Sequence, residues 1–330
     1  MATSMYSKVD EYGFERPESF DYNLYGNFLS QYIGVLAKRA KRWGDLKHGD
    51  RYKKTTTLKR FVRKGIPSSE REAVWMAISG AETMQRRSNL QYNSLKKYME
   101  NKTITEMIKI DIPRTFPENI YFTNDNILPQ QLFNILATFA HHNNEVGYCQ
   151  GLNYIAGLLL LVTKSEESSF WLLKALIEEI LPKYYIRSMS GLLIDLEVLD
   201  EFVKKNEPAI HRHIKGVGMP WAVASTKWFI CLYAEVLPTE TVLRIWDCIF
   251  YEGSKVIFRV ALTLIKIHRQ QILEAKDLGE MVDCFRKMGQ NFNVVNCHQF
   301  MIEVFKTPSS FPNRYLEKVR EKHSSILSDK

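Results

Sequence analysis

The spacing of apolar residues along this chain constrains its fold more than any other feature. Between residues 132 and 140 they recur at the i, i+3, i+4, i+7 and i+8 positions that share one face of an α-helix. These residues are Leu132, Ile135, Leu136, Phe139 and Ala140. Alternating strand patterns bounded by turns are scarce, and no Asn-Gly or Asp-Gly hairpin signal occurs. The sequence therefore predicts an all-α globular fold with roughly ten or more helices.

Proline and glycine indicate where several helices begin and end. Pro129 and Pro238 stand where new helices are expected to start, and Gly80 and Gly253 where helices are expected to stop. Ser69, followed three residues later by a glutamate, has the spacing of a capping box. That spacing predicts a helix start at Ser69.

The charge of the chain is basic but dispersed. Lys and Arg number 45 against 37 Asp and Glu, which gives a formal net charge of +8. Most basic residues are interpreted as solvated faces, and a lipid-binding or acidic-partner patch near residues 38–64 is the alternative. No module that reads nucleic acid is recognisable, so a nucleic-acid partner is not expected.

The cysteines and the apolar runs indicate the compartment. Five cysteines are scattered without a C-x-x-C pair, which favours a reducing environment over a disulfide framework. The first ten residues do not have the apolar core of a signal peptide. The apolar run at residues 155–162 is shorter than the ~18 residues needed to span a bilayer. We expect a cytoplasmic protein whose membrane contact is peripheral and transient.

Residues 108–117 interrupt the helical pattern. Pro113 has no amide proton and disfavours helix at Ile112, so a preceding helix should stop there and leave Arg114 on a loop between two prolines. Asp111 is expected to hold the Arg114 guanidinium in one direction. The alternative is an ordinary surface ion pair worth about 0–1 kcal/mol.

Residues 144–153 form a second interruption. Gly147 and Gly151 permit a tight turn, which would project Gln150 from the start of a helix. A carboxamide donates and accepts hydrogen bonds at once, so it suits the positioning of a nucleophilic water. The alternative is a turn that leads into a helix and buries Cys149.

Two other functions have some support in the sequence, a cysteine hydrolase and a metal site. With Cys149 between two glycines, this second segment has the outline of a nucleophile elbow, which would make the protein a cysteine hydrolase. That motif requires a strand before the turn, whereas residues 132–140 have helical periodicity. Histidine pairs at 141–142 and 211–213 suggest metal, but no cluster of Cys or carboxylates completes a site. No metal is expected.

In this order, the two segments closely resemble the paired signature of TBC domains, the Rab GTPase-activating fold. The signature is Ile108-x-x-Asp111-x-x-Arg114 followed by Tyr148-x-Gln150. Further blocks that resemble the family in sequence order are Gly65-Ile66-Pro67, Arg71-x-x-x-Trp75, Trp228-Phe229, Leu237-Pro238 and Arg244-Ile245-Trp246-Asp247. Asn144 departs from the family pattern, which often has proline there.

The resemblance implies a domain organisation. Residues 1–62 would be an N-terminal extension, formed by an extended arm to about residue 20 and a helix. Residues 63–258 would be the TBC core. Residues 259–330 would continue the same domain as a helical C-terminal lobe, ending in a charged amphipathic helix.

The resemblance also implies a function in vesicle trafficking: activation of GTP hydrolysis in a GTP-bound Rab-type GTPase. Arg114 would neutralise the charge of the transition state, and Gln150 would position the attacking water. Supporting residues would be Asp111, Tyr148, Thr115, Gly151 and Asn153. Structural residues would be Arg71, Trp75, Trp228, Trp246 and Asp247.

The sequence is compatible with a chain that accelerates GTP hydrolysis in a partner and with a chain that only binds the partner. No G-x-x-x-x-G-K-S/T motif is present, so no intrinsic cofactor is expected, and GTP and Mg²⁺ would arrive with the partner. The chain would act in trans, without stand-alone catalysis. The main alternative is a TBC scaffold that binds a GTPase or an effector without accelerating hydrolysis.

Overall fold

Helices form the regular structure of this protein, which confirms the all-α prediction. The computed structural model describes residues 8–16, 18, 20–46, 49, 51–88, 91–96, 102–123, 125–307 and 310–328. Within these ranges, β structure is limited to two isolated bridges, Val9 with Glu15 and Phe14 with Asn119. Residues 1–7, 17 and 19 of the predicted extended arm lie outside the described residues. The chain forms two compact units, residues 1–176 and 177–330.

The first unit contains nine α-helices in its described part. They are α1 (Tyr22–Gly44), α2 (Thr56–Lys64), α3 (Arg71–Ser79), α4 (Ala81–Arg87), α5 (Tyr92–Leu95), α6 (Lys102–Asp111), α7 (Leu128–His142), α8 (Leu152–Thr163) and α9 (Glu166–Ala175). A 3-10 turn, Ser68–Glu70, precedes α3, and a second, Ile112–Arg114, follows α6. Two predicted boundaries are confirmed, because Pro129 is the second residue of α7 and Gly80 directly follows α3.

Helix α8 forms the centre of the first unit. Most of its residues are apolar, and Leu152, Ile155 and Leu159 are fully buried. A helix that is largely apolar must be covered by neighbours, and α8 packs against α3, α7 and α9. The stripe predicted for α7 is buried, as the sequence pattern requires. Residues that flank α8 are therefore held by a rigid core.

The predicted helix start at Ser69 is wrong. Ser69 lies inside the 3-10 turn, α3 begins at Arg71, and no side chain caps α3. The glutamate of the expected capping box, Glu72, instead accepts a 2.7 Å hydrogen bond from Oγ of Ser168. A tertiary contact thus replaces the local one.

Arg71 and Trp75 lie one turn apart in α3, and both are buried. Nη1 of Arg71 donates a 2.7 Å hydrogen bond to the Tyr12 hydroxyl. Their burial is consistent with the structural role that the sequence analysis gives them.

The second unit contains ten α-helices in its described part. They are α10 (Ser190–Asn206), α11 (Pro208–Val217), α12 (Trp221–Ile230), α13 (Thr239–Glu252), α14 (Lys255–Ile267), α15 (Arg269–Glu274), α16 (Leu278–Lys287), α17 (Phe292–Val295), α18 (Cys297–Lys306) and α19 (Asn313–Ser328). Pro238 precedes α13 and Gly253 follows it, as predicted. Among all described residues, no helix is both long and apolar enough to cross a membrane.

Tryptophans fill the core of the second unit. Trp228 stacks on Phe285 with ring centroids 5.5 Å apart. Trp246 Nε1 donates a 2.9 Å hydrogen bond to the carbonyl of Leu232, so its polar atom is satisfied inside the core. Asp247 is fully buried beside it in α13.

A buried ion pair fastens the last helix of the second unit. Asp195 in α10 is fully buried, and Arg320 in α19 donates to its two oxygens at 2.7 and 2.6 Å. Arg320 also donates a hydrogen bond to Oγ of Ser254 at 2.9 Å, and the Tyr184 hydroxyl donates one to Asp195. Two-pronged pairing of this kind is required because an uncompensated buried carboxylate is strongly unfavourable.

We expect Arg320→Met to lower the free energy of unfolding by about 3–5 kcal/mol, because it leaves Asp195 buried without its cation. The measurement is urea denaturation followed by circular dichroism. The matched control is Arg314→Met, since Arg314 lies on the same helix but is exposed. Equal midpoints for the two variants would contradict the importance of the ion pair.

Candidate functional site

Arg114 is the last residue of the 3-10 turn that follows α6. The helix stops at Asp111 and continues as Ile112–Arg114, so Pro113 ends α6 as predicted. The expected loop is in fact this turn. Phe116, two residues beyond Arg114, has a left-handed backbone with φ of 51°. The Arg114 side chain is exposed.

Gln150 lies in the turn between α7 and α8. Gly147 and Gly151 have φ of 60° and 109°, backbone conformations that glycine adopts readily, and they form the tight turn that the sequence predicted. The main-chain amide of Gly147 donates to the carbonyl of Asn143 at 2.7 Å, which closes the turn. The Gln150 side chain is exposed, one residue before the N-cap of α8.

Hydrogen bonds join these two turns. The Tyr148 hydroxyl donates to Oδ2 of Asp111 at 2.7 Å. Asn153 Nδ2 donates to Oγ1 of Thr115 at 2.9 Å. The Tyr154 hydroxyl donates to the carbonyl oxygen of Arg114 at 3.2 Å. These three bonds join residues 111–115, here named the Arg114 turn, to residues 148–154. The latter include Gln150 and most of residues 147–151, here named the Gln150 turn.

Asn153 and Thr115 extend this network within each turn. Oδ1 of Asn153 accepts a 3.0 Å hydrogen bond from the Gly151 amide, which fixes the backbone next to Gln150. The Thr115 hydroxyl donates to the carbonyl of Asp111 at 2.9 Å, which fixes the backbone around Arg114. Thr115 and Asn153 are each only 1% exposed, so this network is sheltered from water.

The role expected for Asp111 is wrong in one respect. Among the described residues, no ion pair joins Asp111 to Arg114. The carboxylate of Asp111 is 8% exposed and accepts from Tyr148, whereas the Arg114 side chain extends into solvent. Asp111 therefore stabilises the Gln150 turn through Tyr148 and does not orient the Arg114 guanidinium.

The Tyr148 phenol is held in its protonated form. Burial raises its pKa far above the usual value, and the hydrogen bond to the Asp111 carboxylate raises it further. A phenol that keeps its proton remains a donor to Asp111 throughout the physiological pH range.

The two exposed side chains are unengaged. Within the part of the chain that the structure describes, neither the Arg114 guanidinium nor the Gln150 carboxamide has a hydrogen-bond or ion-pair partner. An unpaired cation and an unpaired amide on adjacent turns can meet an anionic group and a water molecule of another molecule without first breaking internal contacts.

Helix α8 allows the Arg114 turn to approach closely at Gly157. A Cβ atom at this position would lie 3.2 Å from Cγ2 of Thr115 and 3.2 Å from the ring of Phe116. Gly157, Tyr154 and Phe116 were not predicted from the sequence as part of the site. Gly157 lies inside a largely apolar helix, and glycine permits the close approach of another segment, so this position could have been predicted from the sequence.

Cys149 does not have the surroundings of a nucleophile. No strand precedes it in the described residues, which run from α7 through the turn into α8. Burial raises the pKa of its thiol, whereas an activated cysteine has a lowered one. The cysteine hydrolase alternative is therefore not supported.

Histidines of the second unit have protein partners. His211 Nε2 lies 3.1 Å from Oδ1 of Asp200, and His213 Nε2 lies 2.8 Å from the carbonyl oxygen of Ala275. No group of three or more His, Cys, Asp or Glu side chains within the described residues is arranged to hold a metal. These histidines thus act within the packing of the unit.

Comparisons with known proteins point to one family. The model of the Rab-GTPase-TBC domain matches residues 68–273, a range that includes both turns. Growth hormone-regulated TBC protein 1-A of Danio rerio is 45% identical over 327 residues, which cover 98% of this chain and 92% of that protein. Growth hormone-regulated TBC protein 1 of Homo sapiens is 46% identical over 316 residues, which cover 95% and 94% of the two chains.

Solved structures agree with this assignment. The Chlamydomonas flagellar RabGAP TBC domain superposes with a TM-score of 0.73 at 30% identity, over 90% of this chain and 99% of that one. The Ypt/Rab-GAP domain of Gyp1p superposes with a TM-score of 0.71 at 19% identity, over 83% and 98%, which bears on the fold alone. On the strength of the matched domain and of relatives that span nearly its whole length, the chain belongs to the Rab-GTPase-TBC domain family.

Proposed function

We propose that this protein accelerates GTP hydrolysis by a GTP-bound Rab-family GTPase, with Arg114 and Gln150 both inserted into the GTPase active site. Membership of the family supports a Rab GAP-type role and a Rab partner. The observation that carries the finer proposal is the pair of exposed, unengaged side chains on two turns that three hydrogen bonds hold together, two of them buried.

Arg114 supplies positive charge in this proposal. Negative charge develops on the transferring phosphoryl group during hydrolysis, and an arginine supplied in trans is worth about 10³–10⁵ in rate. The planar guanidinium bridges several phosphate oxygens, which the point charge of a lysine does not do. Because Arg114 is exposed and unpaired, it enters the GTPase without giving up an internal partner.

Gln150 supplies the amide in this proposal. Its carbonyl oxygen accepts a hydrogen bond from the attacking water while its amide group donates one to an oxygen of the partner. The left-handed conformation of Gly151 and its bond to Asn153 fix the backbone beside Gln150, so little conformational freedom is lost on docking.

The supporting residues fix the positions of the two turns that carry Arg114 and Gln150. Asp111 with Tyr148, and Thr115 with Asn153, form hydrogen bonds between the turns and touch no part of the substrate in the proposal. They act as positioning residues for Arg114 and Gln150. GTP and Mg²⁺ belong to the partner, because this chain does not contain a phosphate-binding glycine loop.

Peripheral contact with anionic membranes completes the proposal, which places the protein in the cytoplasm and transiently on membranes. Helix α1 contains no acidic residue, and Lys38, Lys41 and Arg42 on it are exposed. Exposed Ile33 and Leu36 lie on the same helix. Basic and apolar groups on one exposed helix are the features that attract it to a negatively charged lipid surface.

We expect Arg114→Ala to lower stimulated hydrolysis by about 10³–10⁵-fold against a responsive Rab, and Arg114→Lys to recover little of it. Gln150→Ala should lower the rate by roughly 10²–10³-fold, the effect of losing one preorganised hydrogen-bonding group. Phosphate release from a panel of GTP-loaded Rabs measures both effects.

The matched controls are Arg187→Ala and Gln31→Ala, which remove exposed side chains of the same types elsewhere. Both controls should keep the full stimulated rate, and all variants should keep the wild-type circular dichroism spectrum. If Arg114→Ala and Gln150→Ala were silent against a Rab that the wild type activates, the protein would be a GTPase-binding scaffold.

We expect Tyr148→Phe to lower the free energy of unfolding by about 1.5–3 kcal/mol, because it deprives the buried Asp111 carboxylate of its donor. The loosened turns should also lower stimulated hydrolysis by roughly tenfold or more. Urea denaturation and phosphate release measure the two effects. Tyr121→Phe is the control, since Tyr121 is 43% exposed, and indistinguishable results for both variants would refute the bracing role.

We expect the triple variant Lys38→Ala, Lys41→Ala, Arg42→Ala to bind phosphatidylserine vesicles roughly 10²-fold more weakly than the wild type, at about 1 kcal/mol per basic residue. Co-sedimentation with phosphatidylserine and phosphatidylcholine vesicles is the measurement. A control triple variant at the exposed residues Lys276, Arg314 and Lys318 has the same change of charge. Equal loss in both triple variants would count against a specific lipid-facing patch.

A further inference from the structure

Residues 8–16 form a small, internally closed loop, here named the N-terminal loop. Oδ1 of Asp10 accepts hydrogen bonds from the main-chain amides of Tyr12 at 2.8 Å and Phe14 at 2.9 Å. The Asp10 amide donates to the carbonyl of Phe14 at 2.9 Å. A carboxylate that gathers several amides fixes a turn without help from regular structure. The N-terminal loop therefore has a defined shape with which it can contact its surroundings.

The N-terminal loop pairs with residues 116–121, the segment that directly follows the Arg114 turn. The Ile120 amide donates to the carbonyl of Gly13 at 2.9 Å, and the Glu15 amide donates to the carbonyl of Glu118 at 3.0 Å. Main-chain bonds in both directions define the register between two segments. The segment after Arg114 is thus held by residues about 100 positions earlier in the chain.

Tyr12 anchors the N-terminal loop in the first unit. Its ring is 8% exposed, and its hydroxyl accepts a 2.7 Å hydrogen bond from Nη1 of Arg71. Its carbonyl accepts a 3.0 Å hydrogen bond from Nδ2 of Asn119. Arg71 and Asn119 are each 1% exposed. Tyr12 therefore connects α3 to the segment that carries Asn119.

Phe116 links the N-terminal loop to the Arg114 turn. A non-glycine residue in the left-handed region costs of the order of 1–3 kcal/mol and persists only where its surroundings fix it. The ring of Phe116 meets Phe14 edge to face at 5.0 Å, Phe122 at 5.7 Å and Tyr154 at 5.5 Å. One of the three rings that hold this conformation belongs to the N-terminal loop.

We propose that the N-terminal loop positions the arginine finger, with Phe14 as the positioning residue that acts through Phe116 on Arg114. The inference rests on the proposed function and adds to it a segment that precedes the matched domain at residue 68. Phe14 packs against the buried Phe116, which lies two residues beyond the exposed Arg114. Loss of Phe14 should therefore slow the chemical step and leave GTPase binding intact.

The test measures single-turnover hydrolysis by a GTP-loaded Rab at increasing concentrations of the full-length chain. We expect Phe14→Ala to lower kcat by about 10- to 100-fold with KM changed less than about twofold. Phe14→Leu should recover most of kcat because it retains bulk against Phe116. The matched control is Phe61→Ala, since Phe61 is also half-buried and its ring contacts Trp43 of α1. It should keep the wild-type kcat.

A second readout does not depend on activity. Hydrogen exchange at residues 115–122 should be faster in Phe14→Ala than in Phe61→Ala, because the bond from the Ile120 amide to the N-terminal loop is weakened. If Arg114→Ala abolishes stimulation while Phe14→Ala keeps full kcat, the positioning inference fails and the proposed function stands. If Arg114→Ala is silent, the proposed function fails, and the inference falls with it. A rise in KM at unchanged kcat would also overturn the inference.

Discussion

Between the two turns of the first unit, a buried phenol meets a buried carboxylate. The bond from Tyr148 to Asp111 joins positions that are 37 residues apart in the sequence. The bond from Asn153 to Thr115 runs parallel to it across 38 residues. These contacts are sheltered from water, where hydrogen bonds are stronger and their loss is more costly. The positions of the exposed Arg114 and Gln150 side chains depend on these bonds, because neither side chain has a hydrogen-bond partner of its own among the described residues.

The buried and exposed members of the site have opposite requirements. The buried members need complete pairing, since an unsatisfied carboxylate or amide in the interior is unfavourable. In the proposed function, Arg114 and Gln150 need the reverse, because a partner has to complete their contacts. If a GTPase covers them as proposed, water is displaced, and the attraction between a cation and phosphate oxygens strengthens as the local dielectric constant falls. Under this proposal the site supplies part of a reaction centre, and the buried hydrogen bonds hold that part in place.

The features of the site that depend on neighbouring residues could be predicted from the sequence. The contacts between residues far apart in the sequence could not. Pro113 stops α6, and glycine at 147 and 151 permits positive φ, because these effects depend on neighbouring residues alone. The partner of Asp111 was misassigned to Arg114, its neighbour in sequence, since a contact with Tyr148 leaves no local pattern. The same reason hid the left-handed Phe116, whose conformation depends on rings from three different parts of the chain.

The length of the helix that separates the two turns determines how they are placed relative to each other. Helix α7 has 15 residues, and each residue advances a helix by about 1.5 Å and turns it by about 100°. One inserted or deleted residue there would rotate the chain beyond it and move Tyr148, Asn153 and Tyr154 away from their partners together. Insertions within α7 should therefore be far less tolerated in natural or engineered variants than insertions in the connections at the surface. The length of α7 therefore sets the spacing between the Arg114 turn and the Gln150 turn.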